Sequence, residues 1–509
     1  MKSFSRNAVL PDVPSPISGV TIGLLLSGFF GLLVILKFNT LTAPFHWDAM
    51  KYVVPSAEEI YRHWANISKT ASAGHPPLYY VLLAGVWKIF GKTLLASHLL
   101  DLFWGAVGLT SFALLANSLY GRRVAVSAAL LLASNQIFFS QAGMVHLELA
   151  LMSAEILTVY FYIRRKIGLY ILATMIMLLI KETAAIVFMA ILIFDTISSL
   201  AKKEKWSKVV GRLALLSLPA LPFLIWYGLH RSVTGWISNT KAVLDTARFF
   251  PALLKNIMKY LIYDTSAENV NRAYAILFVL IAVSAAIFVK RRRFGFEGLC
   301  LLLISVHLIF FSIIRDKPLP RYFLVIIPFY VLLGAAAAAR LTAALRYKNA
   351  WLAVLILVVA GLSVLNYSGR RNTDGWRLES NMEYLDMVRL HQTVCRYIED
   401  RYKDYDIVTS FPLTKAMKNP WYGYVKNPLR VTDMAKFEQL DAVLVVWAGQ
   451  ANFGDIRDFI ASHRSSLKDV RQFSYRGKVV RIYEKRSGSA ENGRAGSGRG
   501  TGFDFAAGR

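Results

Sequence analysis

A chain of 509 residues that is 55% hydrophobic, only 18% charged and of positive mean hydropathy (+0.42) is not an ordinary soluble domain. Its formal charge of +27 does not point to nucleic acid: much of the excess sits beside apolar stretches, at Arg122-Arg123, Arg164-Arg165-Lys166, Lys202-Lys203, Lys290 to Arg293, and Arg346 with Lys348. Retention of Lys and Arg in short cytoplasmic loops produces that pattern. The two cysteines, Cys300 and Cys395, exclude a disulfide framework.

Repeated apolar stretches of about 18–20 residues can each cross a bilayer core as a helix. The period-two alternation and aromatic girdles of a membrane barrel are absent from the sequence. The reading is an all-α polytopic membrane protein. Lys2 and Arg6 precede a first span near 18–36 that lacks a small-residue cleavage motif, so it reads as an uncleaved anchor. Residues 37–93 then form the first outer loop. Within it, Leu78 to Phe90 is shorter than the ~20 residues a crossing needs. With Trp87 and its tyrosines at headgroup depth it reads as an interfacial helix.

Further crossings are placed near 94–119, 124–141, 146–163, 167–180, 183–200, 211–230, 272–289, 297–314, 321–341 and 350–367, eleven in all with the first. The basic clusters then fall inside, and the chain from Ser368 emerges outside. An amphipathic helix is expected around Phe249 to Tyr263 in the second outer loop. The organisation is a transmembrane domain over 1–367, a small α/β extracytoplasmic domain over 368–485, and a Gly/Ser/Arg-rich tail over 486–509. The tail is too poor in apolar residues to bury a core and is expected to be disordered. In the C-terminal domain, 379–401 has a helical pattern, and Asp406 to Phe411, Leu440 to Trp447 and Lys478 to Tyr483 read as strands.

Ionisable groups at membrane depth are costly and by default face a cavity. On the outer side these are Asp48 in the first loop, Glu148 at the start of the fourth span, Lys181 and Glu182 at a turn, and Arg315, Lys317 and Arg321 around the last outer turn. The cations suit a phosphate through charge-assisted hydrogen bonds. A carboxylate beside them can take a proton from an attacking hydroxyl, or hold a metal. His75, His146 and Tyr79 are candidates for positioning a substrate.

Bland alternatives stand beside each role. Asp48 as a helix cap, Glu148 as the complement of a helix N-terminus, and Lys181 and Arg321 snorkelling to headgroups are the structural ones. His98 and Asp101, three apart on one face, are expected to hydrogen-bond each other. No Walker loop, dinucleotide fingerprint, His/Cys metal cluster or nucleophile elbow occurs in the sequence.

The string His46-Trp47-Asp48-Ala49 is followed by His75-Pro76-Pro77-Leu78-Tyr79-Tyr80, Tyr120-Gly121-Arg122-Arg123, and Gln141 to Glu148. Lys181-Glu182-Thr183 and Arg321-Tyr322-Phe323-Leu324 with Pro328 complete the series. In this order the chain resembles the glycosyltransferase C superfamily over most of residues 18–367. Within it, the likeness is to the polyprenyl- or dolichyl-phosphate-mannose protein mannosyltransferases and the lipid A aminoarabinose transferases. The resemblance implies transfer of a sugar from a polyprenyl-phosphate donor to a protein, lipid or envelope-glycan acceptor on the outer face of the cell (inner or plasma) membrane. It also implies Asp48 and Glu148 as catalytic acids, with Lys181 and Arg321 on the donor phosphate. The chain departs from the family pattern at Ala49, where a second acid is frequent, and at Glu148, where Asp is commoner. No cofactor is fixed by the sequence, and a divalent metal is left open. A transporter or flippase of a lipid-linked or anionic solute, or a non-catalytic scaffold, are the alternative functions.

Overall fold

The computed structural model describes residues 18–64, 74–235, 271–288, 295–314, 319–365, 379–448 and 454–486, with scattered residues between 251 and 261. The expected helix around Phe249 to Tyr263, the 486–509 tail beyond Arg486, and the outer-turn residues Arg315 and Lys317 lie outside the described residues in whole or large part.

Each apolar stretch assigned as a crossing is helical. The helices are α1 (Gly19–Lys37), α4 (Leu94–Tyr120), α5 (Arg122–Ala133), α6 (Gln136–Gln141), α7 (Leu147–Ile163), α8 (Ile167–Ile180), α9 (Ala184–Ala201), α10 (Trp206–Ser217), α11 (Ala220–Thr234), α12 (Arg272–Phe288), α13 (Phe296–Ile314), α14 (Ile327–Thr342) and α15 (Lys348–Leu365). Two short helices of the first loop, α2 (Val54–Arg62) and α3 (Leu78–Phe90), precede α4. The chain is a multi-pass membrane protein. Among the described residues five helices are long and apolar enough to cross singly, and the pair α10–α11, bent by 51°, adds a sixth. Four shorter apolar helices, α3, α8, α12 and α14, flank them.

Three stretches read as continuous spans are interrupted, each for a local reason. The 124–141 stretch breaks at Asn135, whose side chain accepts hydrogen bonds from the amides of Ile137 and Phe138 and so caps α6. The 211–230 stretch breaks before Pro219, which has no amide to continue the helix. The 321–341 stretch opens with a 3₁₀ turn over Pro320–Val325 before α14.

Helices α4 and α7 form the centre of the bundle and approach closely through small residues. A Cβ at Gly108 would lie 2.6 Å from Ser153 Oγ and 2.8 Å from Met152 Cε. Ser153 also ties the two helices by donating to Trp104 O at 2.6 Å. Helix α4 then clamps the loop that leads into α7. Asp101 accepts the Gly143 amide at 2.7 Å, and His98 Nδ1 lies 2.6 Å from Gly143 O. The i, i+3 spacing therefore does not give the expected bond between His98 and Asp101: each finds the irregular backbone at Gly143, which has more need of partners inside a membrane bundle.

The C-terminal region is a five-stranded sheet with helices on both faces. Helix α16 (Tyr384–Arg401) precedes β1 (Asp406–Thr409), α17 (Leu413–Lys418), β2 (Val431–Thr432), β3 (Val443–Trp447), α18 (Gly454–Ser462), β4 (Leu467–Tyr475) and β5 (Lys478–Lys485). The order is β2-β1-β3-β5-β4, parallel across β2-β1-β3 and antiparallel across β3-β5-β4. Helix 379–401 and the first two expected strands are present with trimmed ends, and the third runs on from Tyr483 to Lys485. Strand β4 escapes a hydropathy reading because it is a bulged edge strand whose only buried residues are Leu467 and Phe473.

This domain grips the first loop. The Phe45 amide donates to Tyr422 O at 3.2 Å, Tyr424 Oη donates to Phe45 O at 2.8 Å, and Trp421 meets Trp87 edge-on at 5.4 Å. Gly423 makes the approach feasible, with φ of +93° and Pro44 Cα 3.2 Å from where a Cβ would stand.

Gly108→Val is expected to destabilise the bundle by about 1–3 kcal/mol through overpacking against Met152 and Ser153. Thermal unfolding in detergent checks this, with Gly23→Ala as the neutral comparison, since nothing lies within 4 Å of that position.

Candidate active site

Two strained backbone positions aim the two acids. Trp47, immediately before Asp48, has φ of +41°, and Val145, three residues before Glu148, has φ of +58°. Bulky and β-branched side chains rarely adopt this left-handed region, and each costs about 1–3 kcal/mol unless its surroundings enforce it. Trp47 packs edge-on to Phe411 at 5.6 Å, and His46 packs on Tyr384 at 5.6 Å, so the C-terminal domain holds this turn from outside. Asp48 opens a π-helical turn, Ala49–Val53, but its side chain makes no capping bond to that turn. It reaches across to Arg321 instead.

Arg321 is 3% exposed and is the centre of the site. Its terminal nitrogens hydrogen-bond Asp48 and Glu379, and Glu148 Oε1 lies 3.2 Å from its Nε, an ion-pair distance without hydrogen-bond alignment. Glu148 in turn accepts from Lys181 Nζ at 2.8 Å. Both cations lie over the Tyr322 ring, Lys181 Nζ at 4.6 Å and Arg321 Cζ at 5.4 Å from its centroid. Three carboxylates thus share two cations, drawn from the first loop, α7, the α8–α9 turn, the Pro320–Val325 turn and the segment before α16.

These neighbours set the ionisation of the groups outside the spans. Burial works against the Asp48 anion, but the Arg321 guanidinium holds its carboxyl below the usual carboxylate range. Glu379 goes the other way. Burial, with Asp48 and Glu148 nearby, pushes it up to about 7 against the pull of Arg321. Burial and the neighbouring His146 push the His46 imidazole down to about 3, leaving it neutral.

Of the residues singled out from sequence, Asp48, Glu148, Lys181 and Arg321 come together in one network. His146 borders it and has no hydrogen-bond partner on either ring nitrogen. His75 stands at the side, with Nδ1 2.7 Å from Glu182 Oε2, tying the first loop to the α8–α9 turn. Tyr79 turns away and donates to Asp101 at 3.3 Å. Its neighbour Tyr80, which sequence reading passed over, faces Glu182, Glu148 and Asp48 with a buried hydroxyl that has no protein partner. His146 and Tyr80 are thus buried polar groups beside the network that no other side chain or backbone group satisfies.

Glu379 was also missed. It sits in Leu378-Glu379-Ser380, with no motif to mark it, and is brought in by Ser140 Oγ and Gln141 Nε2, which both donate to its carbonyl at 2.9 Å. The carboxylates converge on a guanidinium rather than on a common point, and among the described residues no group of three His, Cys, Asp or Glu side chains has the arrangement of a metal site. An apolar groove of about 350 Å³ between α1, α4, α7 and α8 includes Arg164 and Lys166 in its lining. It opens at the far end of α7, about 24 Å from Glu148 at 1.5 Å per residue, and is not part of this site.

Residues 74–226 match the family described as dolichyl-phosphate-mannose-protein mannosyltransferase, a stretch that contains Glu148 and Lys181. The fold is similar to that of ArnT from Cupriavidus metallidurans bound to undecaprenyl phosphate, with a TM-score of 0.55 and 14% identity over 91% of this chain and 98% of that one. It is also similar to the archaeal oligosaccharyltransferase AglB from Archaeoglobus fulgidus in complex with an inhibitory peptide and a dolichol-phosphate. There the TM-score is 0.50 and the identity 12%, over 90% of this chain and 74% of that one. No curated protein matches the chain by sequence.

Removing the shared cation leaves buried carboxylates unpaired. Arg321→Gln is expected to lower stability by about 3–5 kcal/mol, read as a fall in unfolding temperature in detergent. The loss should shrink when Glu379→Gln is added, because the double variant buries one uncompensated charge fewer.

Proposed function

From the glycosyltransferase C fold that this chain carries, we propose that the protein is an integral-membrane glycosyltransferase. It moves a sugar from a polyprenyl-phosphate donor to an acceptor at the outer face. The observation that carries this reading is the convergence of Asp48, Glu148, Lys181 and Arg321 from four distant segments into one buried ion-pair network. Stability alone is a poor reason to bury such a network, since a well-packed apolar core would serve as well or better.

The positions of the basic clusters support the placement. With Arg164, Arg165 and Lys166 on the cytoplasmic side at the end of α7, the start of that helix, with Glu148, lies at the outer boundary. The C-terminal domain, gripping the first loop at Phe45, is then extracytoplasmic. Helix α3, 13 residues long and ended at Gly91, lies in the outer interface rather than across the bilayer.

Arg321 and Lys181 take the donor phosphate, Arg321 by its planar fork and Lys181 as a point charge. An incoming phosphate shares the guanidinium with Asp48, and the Asp48 carboxylate, less fully neutralised, becomes a better base. The acceptor hydroxyl oxygen attacks the anomeric carbon while Asp48 takes its proton. The bond from the anomeric carbon to the phosphate oxygen breaks, and polyprenyl phosphate leaves with its added charge against Arg321 and Lys181. For an acceptor that is itself a phosphate no strong base is needed, and Asp48 positions it. Glu148 holds Lys181 in place, and His146 and Tyr80 bond the sugar or the acceptor.

The test is release of polyprenyl phosphate by the purified protein in lipid, from a panel of polyprenyl-phosphate sugars with an envelope extract as acceptor source. Wild type is expected to release it, and Asp48→Asn to be slower by about 10²–10⁴-fold with donor binding retained. Binding without release from any donor would instead favour a transporter or scaffold. Lys181→Met should weaken donor binding by about 10- to 100-fold, the loss of one charge-assisted contact, measured by titration in nanodiscs.

A further inference from the structure

Glu379 has no part in the transfer just described, yet it holds one arm of the guanidinium on which the transfer depends. It comes from the segment leading into the C-terminal domain, its side chain is 5% exposed, and its carbonyl is pinned by Ser140 and Gln141. A carboxylate and a phosphate present the same pair of oxygens to an arginine fork, so the two compete for one place.

The charge count says which acid must yield. Asp48, Glu148 and Glu379 already exceed Arg321 and Lys181 by one negative charge. A donor phosphate adds another in a site where screening is weak. Glu148 has Lys181 as a second partner, and Asp48 is the most exposed of the three, at 25% of its side chain, with water to meet its charge. Glu379 has neither: it is buried, and Arg321 is its one ion-pair partner among the described residues.

We propose that Glu379 is a resident substitute for the donor phosphate, occupying its place on Arg321 in the empty enzyme and surrendering it, with uptake of one proton, when the donor binds. This rests on the reading of Arg321 as the cation of the donor phosphate. The balance is simple. One carboxylate–guanidinium pair breaks, one phosphate–guanidinium pair forms, and a solvent proton neutralises the displaced carboxylate. The elevated ionisation range of Glu379, near neutrality, keeps that proton accessible. The charged groups that face Glu379 are Arg321, Asp48 and Glu148, and of these Asp48 is held below the usual carboxylate range. Histidines 46 and 391, pushed down by burial to about 3 and about 4, do not titrate near neutrality.

The experiment is calorimetric titration of a polyprenyl phosphate into the full-length protein in nanodiscs between pH 6 and 9, in two buffers of different ionisation enthalpy. For wild type the expected result is affinity falling about fivefold from pH 7 to pH 8 and approaching tenfold per unit above, with close to one proton taken up per ligand at the alkaline end. Glu379→Gln should bind about tenfold more tightly at pH 8, with a flat profile and no proton uptake above pH 7, where the ligand's own phosphate is already a dianion. Equal affinity and equal proton uptake in wild type and Glu379→Gln, with binding lost in Arg321→Gln, would overturn the proposal and leave the donor-site reading intact. Binding unaffected by Arg321→Gln would overturn both. Retained thermal unfolding of Glu379→Gln excludes a folding defect, since the residue's backbone anchors are untouched by the change.

Discussion

A guanidinium buried at one end of the bundle is the constraint on which this architecture turns. Desolvating such an ion costs several kcal/mol unless partners replace its water. Arg321 finds them in three acids from three separate parts of the chain. The planar fork makes this feasible, because its five donors point in fixed directions and can serve several carboxylates in one plane. A lysine could not hold the same set. The first loop, α7, the Pro320–Val325 turn and the segment before α16 are therefore positioned by one side chain, and the domain contacts at Phe45 and Trp421 close the structure around it.

How much of this is legible in the sequence depends on the range of the interaction. Membrane helices are written in hydropathy because lipid demands twenty apolar residues and satisfied backbone, which is why α1, α4 and α9 lie where the apolar runs lie. Helix α3 is legible to the residue, with Pro77 ahead of it and Gly91 at φ of +85° behind. The break at Asn135 is written locally as a cap signature but is masked when hydropathy is averaged over a long window. Asp48, Glu148, Lys181 and Arg321 stand out because an ion near a bilayer needs a reason.

Glu379 carries no such mark. It lies in a polar stretch where one more acid is unremarkable, and only the fold of a distant element, α6, delivers it. Tyr79 and Tyr80 show the same limit at smaller scale. Adjacent residues on a helix point about 100° apart, so one meets Asp101 and the other the acids of the site. Nothing in the dipeptide says which.

The surplus of acid in the network bears on turnover as well as on binding. In the proposed reaction, two cations that stabilise a departing phosphate monoester hold that product more tightly than the donor diester, because the product carries more negative charge. An enzyme built only of Arg321 and Lys181 would be slow to release it, and product release limits many well-evolved enzymes. A carboxylate anchored beside Arg321 changes this. As Glu379 sheds its proton it reclaims the guanidinium, and the same exchange that weakens donor binding expels the product. In the proposed reaction Asp48 regains its full share of the guanidinium in the same step and gives up the proton it took from the acceptor. The strained turns at Trp47 and Val145 hold Asp48 and Glu148 beside the guanidinium. The cycle then needs only that one side chain change partners, while the backbone around it stays still.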